Sequence, residues 1–577
     1  MAKIQPASEQ VIEDTIALSF RVDPSRPWLK YYESAVPVSI NYPDVPLQRL
    51  LEDSALRYAS RPALAFFDRT ISYRELNSAA DRFASGLLRL GLRKGDRVAL
   101  VLPNCPQFVI AFYGTLKAGG VVVPTNPLYT ERELEYQLKD AGASIAVTLT
   151  KFFPALQDVR ERVGLTHLVV TNIKEYFSPI VRMLFGLAKE KQDGHRVPVA
   201  WDRTTHSFTK LATDMSAPAR PDVGPDDLAV LQYTGGTTGT AKGAMLSHRN
   251  LVANAIQVRT WDVDAKDGQD VILTVLPLFH VYALTVAMNR GLYAGALLVL
   301  LPRYAQHEVL AAIKKYRPSI FPGVPTLYNG ILSAPDLAKY DLRCIHTCIS
   351  GSAGLPLAIQ ERFEAATGGS LVEGYGLSEA SPVTHCNRFY SHRKPGSIGI
   401  PFPDTDARIV DPNTGREEMP PGQPGELLVR GPQVMQGYWN RPDETAAALE
   451  GGWLHTGDIA CRDEDGFFYI VDRKKDMIIV SGFNVYPRDI EEVLFQHPKI
   501  AEAVAVGLPD EYKGERVKAY VVLRPGEEAT ADEIMHYCAQ NLARYKVPGE
   551  IEFRTSLPKT VIGKVLRRAL IEEELRK

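Results

Sequence analysis

Six cysteines among 577 residues, at positions 105, 344, 348, 386, 461 and 538, are too few and too scattered to form a disulfide framework. They fit a reducing compartment. No run approaches the roughly 18 consecutive apolar residues that cross a bilayer, and the longest pieces are short, such as ALLVLL at 296–301. The first twenty residues, MAKIQPASEQVIEDTIALSF, carry acids and no continuous apolar stretch, which excludes a secretory signal. The terminal ELRK matches neither a prenylation nor a peroxisomal signal. Charge of one sign is lacking too: 66 Lys and Arg against 68 Asp and Glu leave a net charge of −2, so nothing favours nucleic acid as a partner. A cytoplasmic protein is expected.

Two nucleotide and hydrolase signatures are also missing. The common P-loop, GxxxxGK[ST], would need Gly in place of Ala241 and Ser or Thr in place of Gly243. SGSAG at 350–354 lacks the GxSxG pattern of a hydrolase nucleophile. Cys344, His346 and Cys348 look like a metal cluster, but LRCIHTCIS reads as a strand. There residues 344 and 348 would lie about 13 Å apart, too far to share a zinc with bonds of about 2.3 Å. They are taken as packing residues.

What is present is ordinary in bulk, with 45% apolar and 23% charged residues, and too long for one core. Ser72 and Glu75 have capping-box spacing before an amphipathic run through Leu76, Ala80, Phe83, Leu87 and Leu90 that ends at Gly91. RVALVL at 97–102 reads as a buried strand, PQFVIAFYGTLKAGG as a helix leading to VVVP, and Thr130 with Glu133 as the cap of another helix before ASIAVTLT. This alternation predicts an α/β protein with helix-covered, mostly parallel sheets. Short alternating runs with turn signals between 403 and 431 predict a small β-rich subdomain. Strand-like AVAVGL and KAYVVL, with helical stretches near 488–496 and 531–543, predict a separate α+β C-terminal lid.

The most informative stretch is YTGGTTGTAKGAMLSHRN at 233–250. Its glycines let backbone approach an anion, its threonines offer hydroxyls and Lys242 adds a positive charge, so a small nucleotide is the expected ligand. Four further segments follow in order: EGYGLSEA at 373–380, WLHTGD at 453–458, DRKKDMIIVSGFNVYP at 472–487 and PKTVIGKVLR at 558–567. Together the five resemble the adenylate-forming acyl-activating superfamily, and within it the bacterial long-chain fatty acid–CoA ligases. The resemblance runs from about Leu50 to the C-terminus.

That resemblance implies an ATP- and Mg²⁺-dependent reaction in which a fatty acid becomes acyl-AMP and then acyl-CoA. It implies that Thr234, Gly235, Gly236, Thr237, Thr238, Gly239 and Lys242 hold the β and γ phosphates, with Ala241 where the family usually has Pro. Gly351, Ser352 and Ala353 would line the adenine and the acyl group. Glu373, Gly374, Tyr375 and Gly376 belong to the adenine motif, with Tyr375 as its aromatic wall. Ser378 stands at a phosphate-binding hydroxyl that is usually Thr, and Glu379 with Thr234 would ligate Mg²⁺. Asp458 would accept bonds from the ribose hydroxyls beside Arg473. Lys564 would bridge the carboxylate and the α phosphate. His280, Gly323 and Val324 would border the acyl channel.

For the second half-reaction the resemblance implies a lid that turns about Lys475, dividing the chain into 1–474 and 475–577. That turn would withdraw Lys564 and bring Ser481, Gly482 and Phe483 to the CoA pantetheine. Homodimers are common in the family. Alternatives stay open: a medium-chain or aryl-acid CoA ligase, an adenylase that loads a carrier protein, or a non-catalytic lipid-binding scaffold. YFSPIVRMLFGLAKEK at 176–191 sets Phe177, Ile180, Val181, Leu184, Phe185 and Ala188 on one helical stripe near Arg182, Lys189 and Lys191. It is either a peripheral contact with the inner face of the cell membrane or a helix packed on the protein's own body.

Overall fold

Ser72 and Thr130 start helices as their spacing predicts. In the computed structural model, which describes residues 25–213, 218–234, 241–412, 414–473, 476–480, 483–510, 514–560 and 565–576, both complete the capping box with Glu75 and Glu133. The helices span Tyr73–Arg89 and Glu131–Ala141. Gly91 follows the first with φ of 91°, a conformation that costs a side-chain-bearing residue energy. Helix Pro106–Lys117 is buried on every side, in keeping with its largely apolar composition, and takes Gln107, Thr115 and Lys117 into the interior with it.

Between the helices run short Val-rich strands. One seven-stranded sheet has the order Thr205–Ser207, His167–Thr171, Ala143–Leu149, Arg97–Val101, Val121–Thr125, Leu228–Thr234, Lys242–Ser247. Every neighbouring pair in it is parallel except the last. A second sheet places Arg69–Ser72, Pro62–Phe66, Leu297–Leu300 and Val271–Thr274 side by side. Bridges at Ile320 continue it to Thr347–Ser350, Ser370–Gly376 and Val383–Cys386. The expected α/β architecture is the observed one.

Packing divides the chain into two units. The first reaches Gly396 and includes Pro401–Thr405 and Arg430–Gly452; the second comprises Ser397–Ile400, Asp406–Val429 and Trp453 onward. In the second, strands Leu454–Arg462 and Phe468–Arg473 pair antiparallel, and a further sheet joins Phe483–Val485, Ile478–Val480, Gly514–Leu523 and Ile500–Asp510, with Glu550–Phe553 parallel to Gly514–Leu523. Helices Pro487–Gln496 and Ala531–Asn541 contribute Ile490, Leu494, Ile534 and Cys538 to its core.

Two expectations need correction. The strand expected across residues 342–350 is limited to Thr347–Ser350, because a turn occupies the preceding residues. Cys344 and Cys348 are nonetheless buried free thiols, and burial raises the pKa of both. The stripe at 176–191 also divides. A 3₁₀ turn ends at Tyr176, the helix is Pro179–Ala188, and buried Phe177 precedes it, packed on Phe66, Phe67 and Phe185. Ile180, Met183, Leu184 and Leu187 point outward, from 55% to 81% exposed.

Acid should loosen the first unit through His248. This residue is buried, its Nδ1 accepts the Leu47 N–H at 3.1 Å, and burial lowers its pKa from 6.5 to about 4. Asp227, which pulls the pKa up, and Lys94, which pushes it down, are the charged groups that act on it. Between 6.5 and about 4 the unfolded chain binds a proton that the folded chain refuses, so this stability is full above 6.5 and lost as pH falls towards 4. Melting temperature measured across that interval should fall less steeply in His248→Gln than in the wild type. Equal slopes would remove His248 as a contributor.

Candidate active site

The strand Leu228–Thr234 ends where the threonine and glycine segment begins, and Lys242–Ser247 returns antiparallel beside it, with Thr234 opposite Lys242. Lys242 is not a lone cation. Its Nζ pairs with Glu444 and lies 5.1 Å from the centre of the Tyr438 ring. Residues 436–439 run alongside, with Met245 N–H bonded to the Gly437 carbonyl at 2.8 Å and Trp439 N–H to that of Gly243 at 2.8 Å.

The turn Ser378–Ala380 packs against both strands. The carbonyl of Glu379 accepts the Met435 N–H at 2.7 Å, and its Oε1 accepts the Tyr438 hydroxyl at 2.8 Å. Burial, and then the Glu379 charge, raise the Tyr438 pKa, so this phenol stays a donor throughout the usable pH range. Among the described residues no group of three or more His, Cys, Asp and Glu could hold a metal ion. A single carboxylate such as that of Glu379 still fits Mg²⁺, which usually takes one or two protein carboxylates and completes its shell with phosphate oxygens and water.

The acyl and adenine segments adjoin each other in the second sheet. Gly323 bridges to Ser350, Gly351 N–H bonds the Gly323 carbonyl at 3.2 Å, and Ser350 is in register with Glu373. Tyr282 donates its hydroxyl to the Ile349 carbonyl at 2.6 Å, and its own N–H reaches His280 Nδ1 at 3.3 Å. Glu373 is buried, with Oε2 accepting the Leu355 N–H at 3.1 Å. Ser352 takes a left-handed φ of 68°, a strained conformation at the exposed end of this stretch. Gly374 lies buried against Ile349, while Tyr375 is part-exposed with its ring 5.9 Å from that of His385. Gly376 ends the strand, exposed, and Val324 is buried just before helix Pro325–Leu332.

In the second unit Asp458 is buried and has its N–H bonded to Thr456 Oγ1 at 3.1 Å. Its strand partner in register is Arg473. Phe483 begins the strand Phe483–Val485. Gly235, Gly236, Thr237, Thr238, Gly239, Lys475, Ser481, Gly482 and Lys564 lie outside the described residues.

Sequence reasoning missed Tyr438, Glu444 and Tyr282. Tyr438 stands 59 residues from Glu379, and nothing in GYWNRPDET alone names its partner. Tyr282, two residues after His280, needed only the rule that a buried phenol finds an acceptor.

Comparison with known proteins completes the picture. Residues 51–439 match the family model described as AMP-binding enzyme, and residues 489–564 match the AMP-binding enzyme C-terminal domain. The long-chain-fatty-acid–CoA ligase of Bacillus subtilis (strain 168) is 47% identical over 554 residues, covering 95% of this chain and 98% of the relative. That of Escherichia coli O6:H1 is 42% identical over 558 residues, with the same coverage, 95% and 98%. The ATP-bound crystal structure of MatB from Rhodopseudomonas palustris superimposes with a TM-score of 0.81 at 32% identity, covering 92% of this chain and 99% of that one.

Gly323 supplies a test of how tightly the acyl-side packing is set. A Cβ there would fall 2.6 Å from the Tyr328 ring, and Tyr328 is fully buried with its hydroxyl bonded to the Phe321 and Ile349 carbonyls at 2.9 and 3.0 Å. Gly323→Ala should therefore destabilise the protein by about 1–3 kcal/mol, the usual cost of overpacking. A melting temperature equal to the wild type's would show that the Tyr328 ring yields without cost.

Proposed function

The chain belongs to the AMP-binding enzyme family, and on that premise we propose that it is an ATP-dependent long-chain fatty acid–CoA ligase. The observation that carries this reading is the 47% identity to a long-chain-fatty-acid–CoA ligase across 98% of that relative's length. A substrate carboxylate oxygen attacks the α phosphorus and pyrophosphate leaves; the CoA thiol then attacks the acyl carbon and AMP leaves. Such chemistry is accelerated mainly by positioning and by stabilising charge.

The motif residues supply those two things. Thr234 and Lys242, with the threonine and glycine segment between them, hold the β and γ phosphates. Glu379 and Thr234 hold Mg²⁺, which when bound neutralises phosphate charge and polarises the phosphoryl group. Glu379 is oriented for this by the Tyr438 hydroxyl. Tyr375 walls the adenine, Ser378 bonds phosphate, and Asp458 with Arg473 takes the ribose. Lys564 stabilises charge in the first step only. Rotation about Lys475 then exchanges it for Ser481, Gly482 and Phe483, beside which the pantetheine passes. His280, Gly323, Val324 and Ala353 border the acyl group.

Long-chain acids partition into bilayers, and the reading extends to reversible contact with the inner face of the cell membrane. The outward residues Ile180, Met183, Leu184 and Leu187 follow an i, i+3, i+4, i+7 pattern. Arg182, Lys189 and Lys191 are exposed beside them, and the nearest acid, Glu190, is buried and paired with Lys174. An apolar face ringed by cations complements an anionic lipid surface.

Three measurements test these proposals. Pyrophosphate release from ATP with oleate, followed by oleoyl-CoA on adding CoA, is expected in preference to the same products from medium-chain or aryl acids; a scaffold would release none. Lys564→Ala should lose adenylation by at least about a hundredfold while keeping thioester formation from preformed acyl-AMP, and equal losses would refute its assignment. Replacing Ile180, Leu184 and Leu187 together by Ser should abolish co-sedimentation with anionic vesicles without altering circular dichroism. Undiminished binding would place the contact elsewhere.

A further inference from the structure

The helix Glu131–Ala141 carries none of the motif residues, yet it holds both sides of the phosphate hairpin. Tyr136 and Asp140 are four residues apart and so share one helical face. The Tyr136 hydroxyl donates to the Ala241 carbonyl at 2.8 Å, on the returning side. On the outgoing side the Tyr233 hydroxyl donates to Asp140 Oδ2 at 2.6 Å. The other oxygen of Asp140 accepts Arg441 Nη2 at 2.8 Å, and its backbone carbonyl accepts Trp439 Nε1 at 3.1 Å.

Asp140 thus ties two other stretches of chain to its own helix. Its side chain is 13% exposed, and Tyr233 is buried. The residues it fixes at 439 and 441 lie between Tyr438 and Glu444, the partners of Glu379 and Lys242. Backbone pairing of Leu228–Thr234 with Lys242–Ser247 already closes the hairpin, so these side-chain bonds are not needed to form it. What they add is a fixed position for its open end relative to Glu379.

We infer that Asp140 and Tyr136 are positioning residues for the nucleotide-phosphate end of the site, acting through Tyr233, Ala241 and the 438–444 segment. This rests on the reading of that end given above. Adenylation requires the hairpin, Lys242 and Glu379 in register with one another around the phosphates. Thioester formation begins after pyrophosphate has left, so it does not depend on that register. A purely structural role for Asp140 would reduce both half-reactions together.

The two half-reactions, measured separately on the full-length protein, decide the matter. Asp140→Ala should raise the KM for ATP in pyrophosphate exchange by about tenfold, the worth of one charged hydrogen bond. The KM for oleate and the rate of thioester formation from preformed oleoyl-AMP should stay within about twofold, since neither uses the phosphate end. Asp140→Asn keeps an acceptor for Tyr233 and should recover much of the loss. Tyr136→Phe removes a single hydroxyl, is the variant least able to disturb folding, and should show the same bias more weakly. Tyr233→Phe combined with Asp140→Asn should cost less than the sum of the two, because they share one bond. Equal losses in both half-reactions, or an unchanged KM for ATP in folded Asp140→Ala and Tyr136→Phe, would overturn the inference. Absence of pyrophosphate release by the wild type with every acid would instead overturn the functional reading, and the inference with it.

Discussion

The antiparallel return of Lys242–Ser247 onto Leu228–Thr234 is the interaction on which the first unit's site depends. A parallel sheet buries both faces beneath helices, so its strands cannot offer hydroxyls and backbone to a polyanion except at their ends. Here the chain leaves the sheet at Thr234 and re-enters at Lys242, with the two residues in register. The sheet therefore fixes a hydroxyl and a cation at the two ends of a seven-residue segment. The same edge receives the bridge from Ala244 to Tyr438, which brings the Tyr438 hydroxyl to Glu379. One edge strand thus orders two groups that come from distant parts of the chain.

The polar contacts around that edge share a pattern: a buried or half-buried tyrosine donates to a carboxylate. Tyr233 to Asp140 and Tyr438 to Glu379 are examples. In each, burial and the adjacent negative charge raise the phenol pKa, so the donor keeps its proton at any working pH. The arrangement holds its geometry without titrating. It also explains why removing one partner should cost more than a bond, since the other is left desolvated. The buried His248 behaves oppositely, because there protonation is what folding forbids.

Much of the fold was legible because its signals are local. Capping boxes at Ser72 and Thr130 and Val-rich strands between them act over a few residues, and the five motifs gave the family through resemblance. The supporting groups were not legible, because their contacts are not local. Arg441 lies 301 residues from Asp140 in sequence, and no periodicity links them. The helix Pro179–Ala188 shows a subtler limit. Apolar spacing says which residues share a face but not where that face points. Val181 and Phe185 lie partly covered, while the neighbouring stripe through Ile180 and Leu187 faces out. Sequence period carries the first fact, and only packing carries the second.

The lid rotation proposed above requires a body that holds its own shape while it moves. The C-terminal part meets that condition by itself. Ile478, Val480, Val485, Ile490 and Leu494 join Val517, Ala519 and Ile534 in one apolar cluster, to which, among the described residues, no earlier residue contributes. Lys518 stands in the same sheet with its side chain 2% exposed, held by Glu550 at 2.7 Å, Glu552 at 2.8 Å and Glu574 at 3.0 Å. Burial alone would depress the pKa of such an ammonium, but the three carboxylates raise it instead. Loss of a single carboxylate would leave the charge with two partners, whereas loss of the lysine would leave three acids together. The cluster therefore ties strand Gly514–Leu523 to strand Glu550–Phe553 and to helix Arg567–Leu575. Lys564, proposed above for adenylation, lies in sequence between that strand and that helix. A body held together in that way suits the proposed rotation, because it can turn without unfolding.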